Sequence, residues 1–225
     1  MPHFAKIDFN GDPNIGLFGF ATDSYCLLGA SNKKIAKRTK NILQVPEYHC
    51  RFLSTDLAGI FSTGNSKGII VPETIEDEEL EHLKKISKTI FGGNRILSIK
   101  TTYALGNLIL LNDNGIIISP LIKKERKNIE DFFSIPCEVS TIAKLNVVGT
   151  LAIATNRGCL SHPHTTKKEL ELLERVLKVP INIGTVSFGS PFSGAGVIAN
   201  SNGFLVGEST SGIEMGRIDE ALGFI

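Results

Sequence analysis

The run "TNRGCLSHPH", Thr155 to His164, places Cys159, His162 and His164 within six residues. A thiolate and imidazoles are zinc ligands, and a Cys near a His can also form a nucleophilic site. A structural zinc needs four convergent donors, usually as two spaced pairs. Here there are three on one strand-to-loop run. The other cysteines, Cys26, Cys50 and Cys137, are far apart and form no Cys-x-x-Cys pair. A nucleophilic Cys needs a lowered pKa or an adjacent base, and no carboxylate flanks Cys159. The glycine-rich stretch "GSPFSGAG" (189–196) does not match a phosphate loop, since no Lys follows it, and reads as a connecting loop. Neither a catalytic residue, a metal nor a cofactor is expected.

The same stretch has relatives elsewhere in the chain. "VGTLAIATNRGCLSHP" (148–163) sits beside "LGNLILLNDNGIIISP" (105–120) and "AGIFSTGNSKGIIVP" (58–72). Gly59, Gly106 and Gly149 open them, and Gly68, Gly115 and Gly158 each follow nine residues later. "IGLFGFATDSYCLLG" (15–29) and "AGVIANSNGFLVG" (195–207) are weaker copies, opened by Gly16 and Gly196, the last with a shorter turn. The spacings of 43, 47, 43 and 47 residues define five units of about 45. In the sister units the slot of Cys159 holds Ile69 and Ile116, and that of His162 holds Val71 and Ser119. The unit does not need these ligand-type side chains. A small buried thiol and a solvated histidine pair are expected.

Each unit predicts two apolar strands around an Asn/Asp/Gly turn, then a helix, then a third strand. Leu80, Leu83, Ile86 and Ile90 have helical spacing within 77–90. Thr166 to Glu169 and Ser211 to Glu214 form capping boxes. The third strands fall at 95–100, 137–142, 182–186 and 48–53. The fifth unit lacks one, because the chain stops after its helix, while "HFAKIDF" (3–9) is a surplus strand at the start. The expected architecture is α/β: a single domain over 1–225, forming a five-fold pseudosymmetric αβ-propeller of ββαβ units. The units run about 10–56, 57–102, 103–146, 147–192 and 193–225, and the N-terminal strand pairs beside the fifth unit to close the ring. A layered α/β domain with a mixed sheet is the alternative, disfavoured by the period. With 225 residues, a net charge of +1, 42% hydrophobic residues and no apolar run long enough to span a membrane, the chain reads as soluble, cytoplasmic and monomeric.

These segments resemble the translation initiation factor 6 family, which has the pentein fold. The resemblance spans Ile15 to Glu214, and "ALGN" together with "GCLSHP" carries it most specifically. The ending at Phe224-Ile225 is similar to archaeal members. The resemblance implies a non-enzymatic factor that binds the large ribosomal subunit and prevents association with the small one, with a role in large-subunit biogenesis. It further implies contact with a ribosomal protein near the sarcin–ricin loop and adjacent ribosomal RNA. Two other readings are a pentein-type guanidine-modifying hydrolase or transferase, and a scaffold for a non-ribosomal protein. The former enzymes carry their Cys late in the chain, where the fifth unit has none.

Residues just after the opening glycines should share one rim: Leu17, Ile60, Asn107, Thr150 with Leu151, and Val197. Asn107 is the odd polar residue. It either satisfies its own turn or, as "ALGN" implies, contacts the ribosome; Ile60, Leu151 and Val197 are its expected apolar neighbours. Lys33, Lys34, Lys37, Arg38 and Lys40 crowd the first helix, and Lys123, Lys124, Arg126 and Lys127 open the third. Such runs are solvated faces that can also attract RNA over long range, and Lys37 is the expected contributor. The purified chain should carry no stoichiometric zinc. Elemental analysis showing one metal per chain, lost in Cys159→Ala, would reverse that reading.

Overall fold

The computed structural model describes residues 2–30 and 32–225. Strand β1 (Phe4–Ile7) precedes five repeats. The first repeat has a 3-10 turn (Ile15–Leu17), β2 (Gly19–Ala21), β3 (Cys26–Leu28), α1 (Lys33–Leu43) and β4 (Glu47–His49). The second has α2 (Ala58–Phe61), β5 (Thr63–Asn65), β6 (Gly68–Pro72), α3 (Asp77–Phe91) and β7 (Ile96–Ile99). The third has α4 (Leu105–Leu108), β8 (Ile109–Leu111), β9 (Ile116–Ile118), a 3-10 stretch (Pro120–Glu125), α5 (Arg126–Phe133) and β10 (Cys137–Val139). The fourth has α6 (Val148–Leu151), β11 (Ala152–Ala154), β12 (Cys159–Ser161), α7 (Lys167–Leu177) and β13 (Ile181–Ile183). The fifth has α8 (Ser193–Gly196), β14 (Val197–Asn200), β15 (Gly203–Gly207) and α9 (Gly212–Ala221). The segment read as a connecting loop at 189–196 therefore contains a short helix.

Each repeat makes a three-stranded sheet with an antiparallel hairpin and a parallel third strand reached through the helix. In the fifth sheet the third place is taken by β1, parallel to β15 in the register Phe4↔Phe204 to Ile7↔Gly207. His3 reinforces this pairing through a 2.6 Å contact between Nε2 and Asp219 Oδ1. Arg38 of α1 donates to the Lys6 carbonyl. The five sheets stay separate, and none closes on itself.

The middle strand of each sheet is buried on both faces, which explains its apolar sequence; the polar exception, Ser161 of β12, is hydrogen-bonded to the Thr165 hydroxyl at 2.9 Å. Alternate residues serve two cores. Ile116 and Ile118 of β9 pack with Leu105, Ile129 and Phe133 of their own repeat. Ile117 packs with Leu151, Leu173 and Leu177 of the next. In β12, Cys159 joins its own core and Leu160 joins Phe204 and Ile218 of the fifth. The hairpin turns add polar ties. Asn112 Oδ1 accepts from Asn114 and Gly115 N–H, as a tight turn requires, while its Nδ2 donates to Thr155 and Leu177 carbonyls at 2.9 Å. Asn200 Nδ2 likewise reaches Thr22 and Leu43 of the first repeat.

At the other end of the hairpins the short helical segments pack through glycine. A Cβ on Gly59 would overlap the Gly16 carbonyl oxygen, one on Gly106 that of Gly59, and one on Gly149 that of Gly106. A Cβ on Gly194 would overlap the carbonyl of Gly149, and one on Gly16 that of Gly194. The fifth member is Gly194, correcting the expected Gly196, whose added Cβ would meet Val186 instead. Gly194 also precedes Gly203 by the same nine residues as in its sisters, so the fifth turn is not shorter. These five glycines line a cavity of about 70 Å³.

Deleting residues 1–9 should lower the thermal midpoint by more than about 10 °C and promote aggregation. It strips β15 of a parallel partner and removes the buried Ile7 and Phe9. An unchanged midpoint and solubility would contradict the seam.

Candidate docking face

Three kinds of element converge at the glycine end of the repeats: the short helices, the tight turns just before them, and the N-termini of the long helices. The turns are strained. Leu53, Ser54, Ala143, Lys144 and Phe188 all have positive φ, between 52° and 67°, a region that costs non-glycine residues about 1 kcal/mol or more. A carboxylate holds each turn. Glu79 accepts from Leu53 and Ser54 N–H, both at 2.8 Å. Glu169 accepts from Ala143 and Lys144 at 3.1 and 3.0 Å. Glu214 accepts from Phe188 and Gly189 at 3.1 and 2.8 Å. Each glutamate is also the third helical residue of a capping box. The boxes at Thr166 and Ser211 match expectation; the one at Glu76 to Glu79 is an addition.

Burial pushes the Glu214 carboxyl up, but donors from Ser211, Gly189 and Thr185 outweigh it and hold the pKa down at about 2. Glu169 is likewise lowered: burial opposes, and bonds from Thr141, Thr166 and Lys144 prevail.

The sequence-derived rim divides here. Ile60 and Asn107 are half-buried on this face. Asn107 Oδ1 accepts from the Thr150 hydroxyl of the next repeat at 2.9 Å, so its side chain does not serve its own turn. Its Nδ2 finds no acceptor among the described residues. Leu151 and Val197 are corrected: both are interior, at 0% and 1% exposure. Leu151 ends α6 and turns into the core with Leu173. Val197 starts β14, three residues past Gly194, and the rim position beside that glycine belongs to Ala195. Lys37 is exposed on α1.

Cys159 is wholly buried, and burial pushes its thiol up to about 12, opposite to the shift that activates a nucleophile. His162 is 7% exposed rather than solvated; its Nδ1 accepts from His164 N–H at 3.0 Å, and burial, with the neighbouring His164, lowers its pKa. His164 is the exposed member of the pair.

Sequence reasoning missed the apolar side chains of this face. Tyr103, Leu121, Leu145, Phe188, Phe192 and Ile213 are all exposed, with Phe188 at 86% and Ile213 at 89%. They belong to the third, fourth and fifth repeats. A signal existed for Ile213: the equivalent residues before the capping glutamates are Glu78 and Lys168, suited to solvent, and only the fifth repeat places an aliphatic there.

A model of the eIF-6 family matches residues 4–221. The chain belongs to the eIF-6 family. Its relatives include proteins named translation initiation factor 6 from Thermococcus onnurineus, 39% identical over 99% of both chains, and from Methanocaldococcus jannaschii, 39% identical over 96% of both. A third, from Haloquadratum walsbyi, is 35% identical over 98% of this chain and 96% of its own. This eIF-6 family member also has no helix among the described residues long and apolar enough to cross a membrane.

The carboxylate clamps give this face an acid limit. As pH falls below about 4.5, unfolded Glu214 takes up a proton while the folded one, near 2, does not, so stability is lost between those values. Glu214→Gln should lower stability at pH 7 and flatten the loss between pH 4.5 and 2. An unchanged acid denaturation curve would contradict the clamp.

Proposed function

We propose that the chain is a non-enzymatic translation factor that binds the large ribosomal subunit through this face. By occupying the surface, it prevents the small subunit from joining, and it takes part in large-subunit biogenesis. The observation that carries this reading is that exposed Tyr103, Leu121, Leu145, Phe188, Phe192 and Ile213 all fall on turns and helix starts at the glycine end of the repeats, the end that also carries Asn107. Exposed apolar groups held on rigid turns suit a protein partner, since little ordering entropy remains to be lost on docking. Family membership and the relatives' names supply the ribosomal context. The partner is a large-subunit protein near the sarcin–ricin loop, with adjacent ribosomal RNA beside it. The setting is the cytoplasm, and the factor acts as a monomer.

The cyclic glycine contacts support a companion reading: five units arranged as the blades of a pentein propeller closed at the β1 seam. One end of such a ring offers a broad docking surface while the helices stay peripheral. Lys37 and its basic neighbours on α1 then act mainly on encounter, through long-range attraction to RNA.

Asn107→Arg should weaken co-sedimentation with purified large subunits at least tenfold and abolish anti-association, with the fold intact. Lys37→Glu should cause a smaller loss that fades as salt rises. Normal binding by Asn107→Arg, alongside a salt-independent loss in Lys37→Glu, would move the docking surface to the helical periphery.

A further inference from the structure

The third repeat breaks the carboxylate rule. Around the molecule, Glu79, Glu169 and Glu214 each place a carboxylate on the backbone N–H groups of a tight turn, and Asp8 does the same for Gly11 at 2.7 Å. The corresponding turn of the third repeat, Lys100 to Tyr103, has neither a positive-φ residue nor a carboxylate on its N–H groups among the described residues. Six residues after Pro163 stands Glu169; six after Pro120 stands Arg126, which is directed to the Cys137 carbonyl. In place of the missing clamp lies a groove of about 640 Å³.

The groove is walled by Tyr103, Leu121 and Ile122 and bordered by Lys100 and Lys124, neither of which has an ion-pair partner among the described residues. Glu73 and Glu125 also border it, and Glu125 is engaged by the Asn128 amide at 3.3 Å. Asn107 stands four residues after Tyr103, in the short helix that follows this turn. We infer that this groove is a receptor for a protein segment of the docking partner that presents an Asp or Glu side chain beside an apolar residue. The intermolecular carboxylate would occupy the place that an intramolecular one fills in four sister turns. The proposal rests on the docking reading above and names the chemistry of one of its contacts. Two lysines balanced by two glutamates suit a single short carboxylate flanked by apolar atoms. A polyphosphate strand would meet those glutamates as like charges.

The test uses the full chain bound to purified large subunits and a water-soluble carbodiimide, which joins an amine to a carboxylate already in contact with loss of water. Crosslinks from Lys100 or Lys124 to an Asp or Glu of a large-subunit protein are expected. Lys100→Glu with Lys124→Glu should weaken co-sedimentation at least tenfold while leaving the thermal midpoint unchanged. Co-sedimentation without such crosslinks, or with the double variant binding normally, overturns the groove assignment and leaves the docking reading standing. Ultraviolet crosslinks from Tyr103 to ribosomal RNA in place of the carbodiimide products overturn it in favour of phosphate. Failure of the unmodified chain to co-sediment at all defeats the docking reading itself and this inference with it.

Discussion

Five glycine backbones approach one another so closely that no side chain fits between them, and the remaining architecture follows from that approach. Because each glycine faces the carbonyl of its neighbour, the short helices must pack in a fixed cyclic order. Their hairpins then start at matched heights, and the first strands lie side by side. Glycine supplies no apolar area, so the energy holding this arrangement comes from elsewhere. It comes from the middle strands, whose residues are shared alternately between two adjacent cores. Close approach sets the geometry; shared burial supplies the stability.

Much of this was legible locally. The nine-residue glycine spacing, the Thr166 and Ser211 caps and the unbroken apolar runs at 69–71 and 116–118 each depend on residues close in sequence. The surplus strand at the N-terminus was legible by counting. The register of the fifth repeat was not, because Gly194 and Gly196 stand two apart in one segment and only the packing against Gly149 separates them. That slip placed Val197 on the surface. Leu151 failed for a related reason: position after a glycine gives a place along the chain, whereas the direction of a side chain depends on the turn of a four-residue helix. The exposure of Phe188 could not be read at all, since it arises from a strained turn fixed by a glutamate 26 residues away.

The carboxylate clamps show how a repeated fold tolerates strain. Each places a cluster of unfavourable φ angles under one side chain that also starts a helix, so the cost of the turn that ends one repeat is offset by the helix start of the next. Backbone symmetry is thereby uncoupled from surface chemistry. At the same clamped amide the turns carry Leu53, Ala143 or Phe188 with the same framework beneath. The asymmetric apolar face on the third to fifth repeats is compatible with a nearly five-fold interior for this reason.

The pairing of β1 with β15 has a consequence for the birth of the molecule. About 200 residues separate the two strands, and a ribosome adds roughly 5–20 residues per second. The first strand to leave the exit tunnel therefore waits roughly 10–40 s for its partner. For most of that interval the strands β2, β3 and β4 of the first repeat are already made, yet the core that Ile7 and Phe9 share with Ile198 and Leu205 stays incomplete. The first core is complete only once Ile198 and Leu205 have been made, so the beginning of the chain is the last part to be secured.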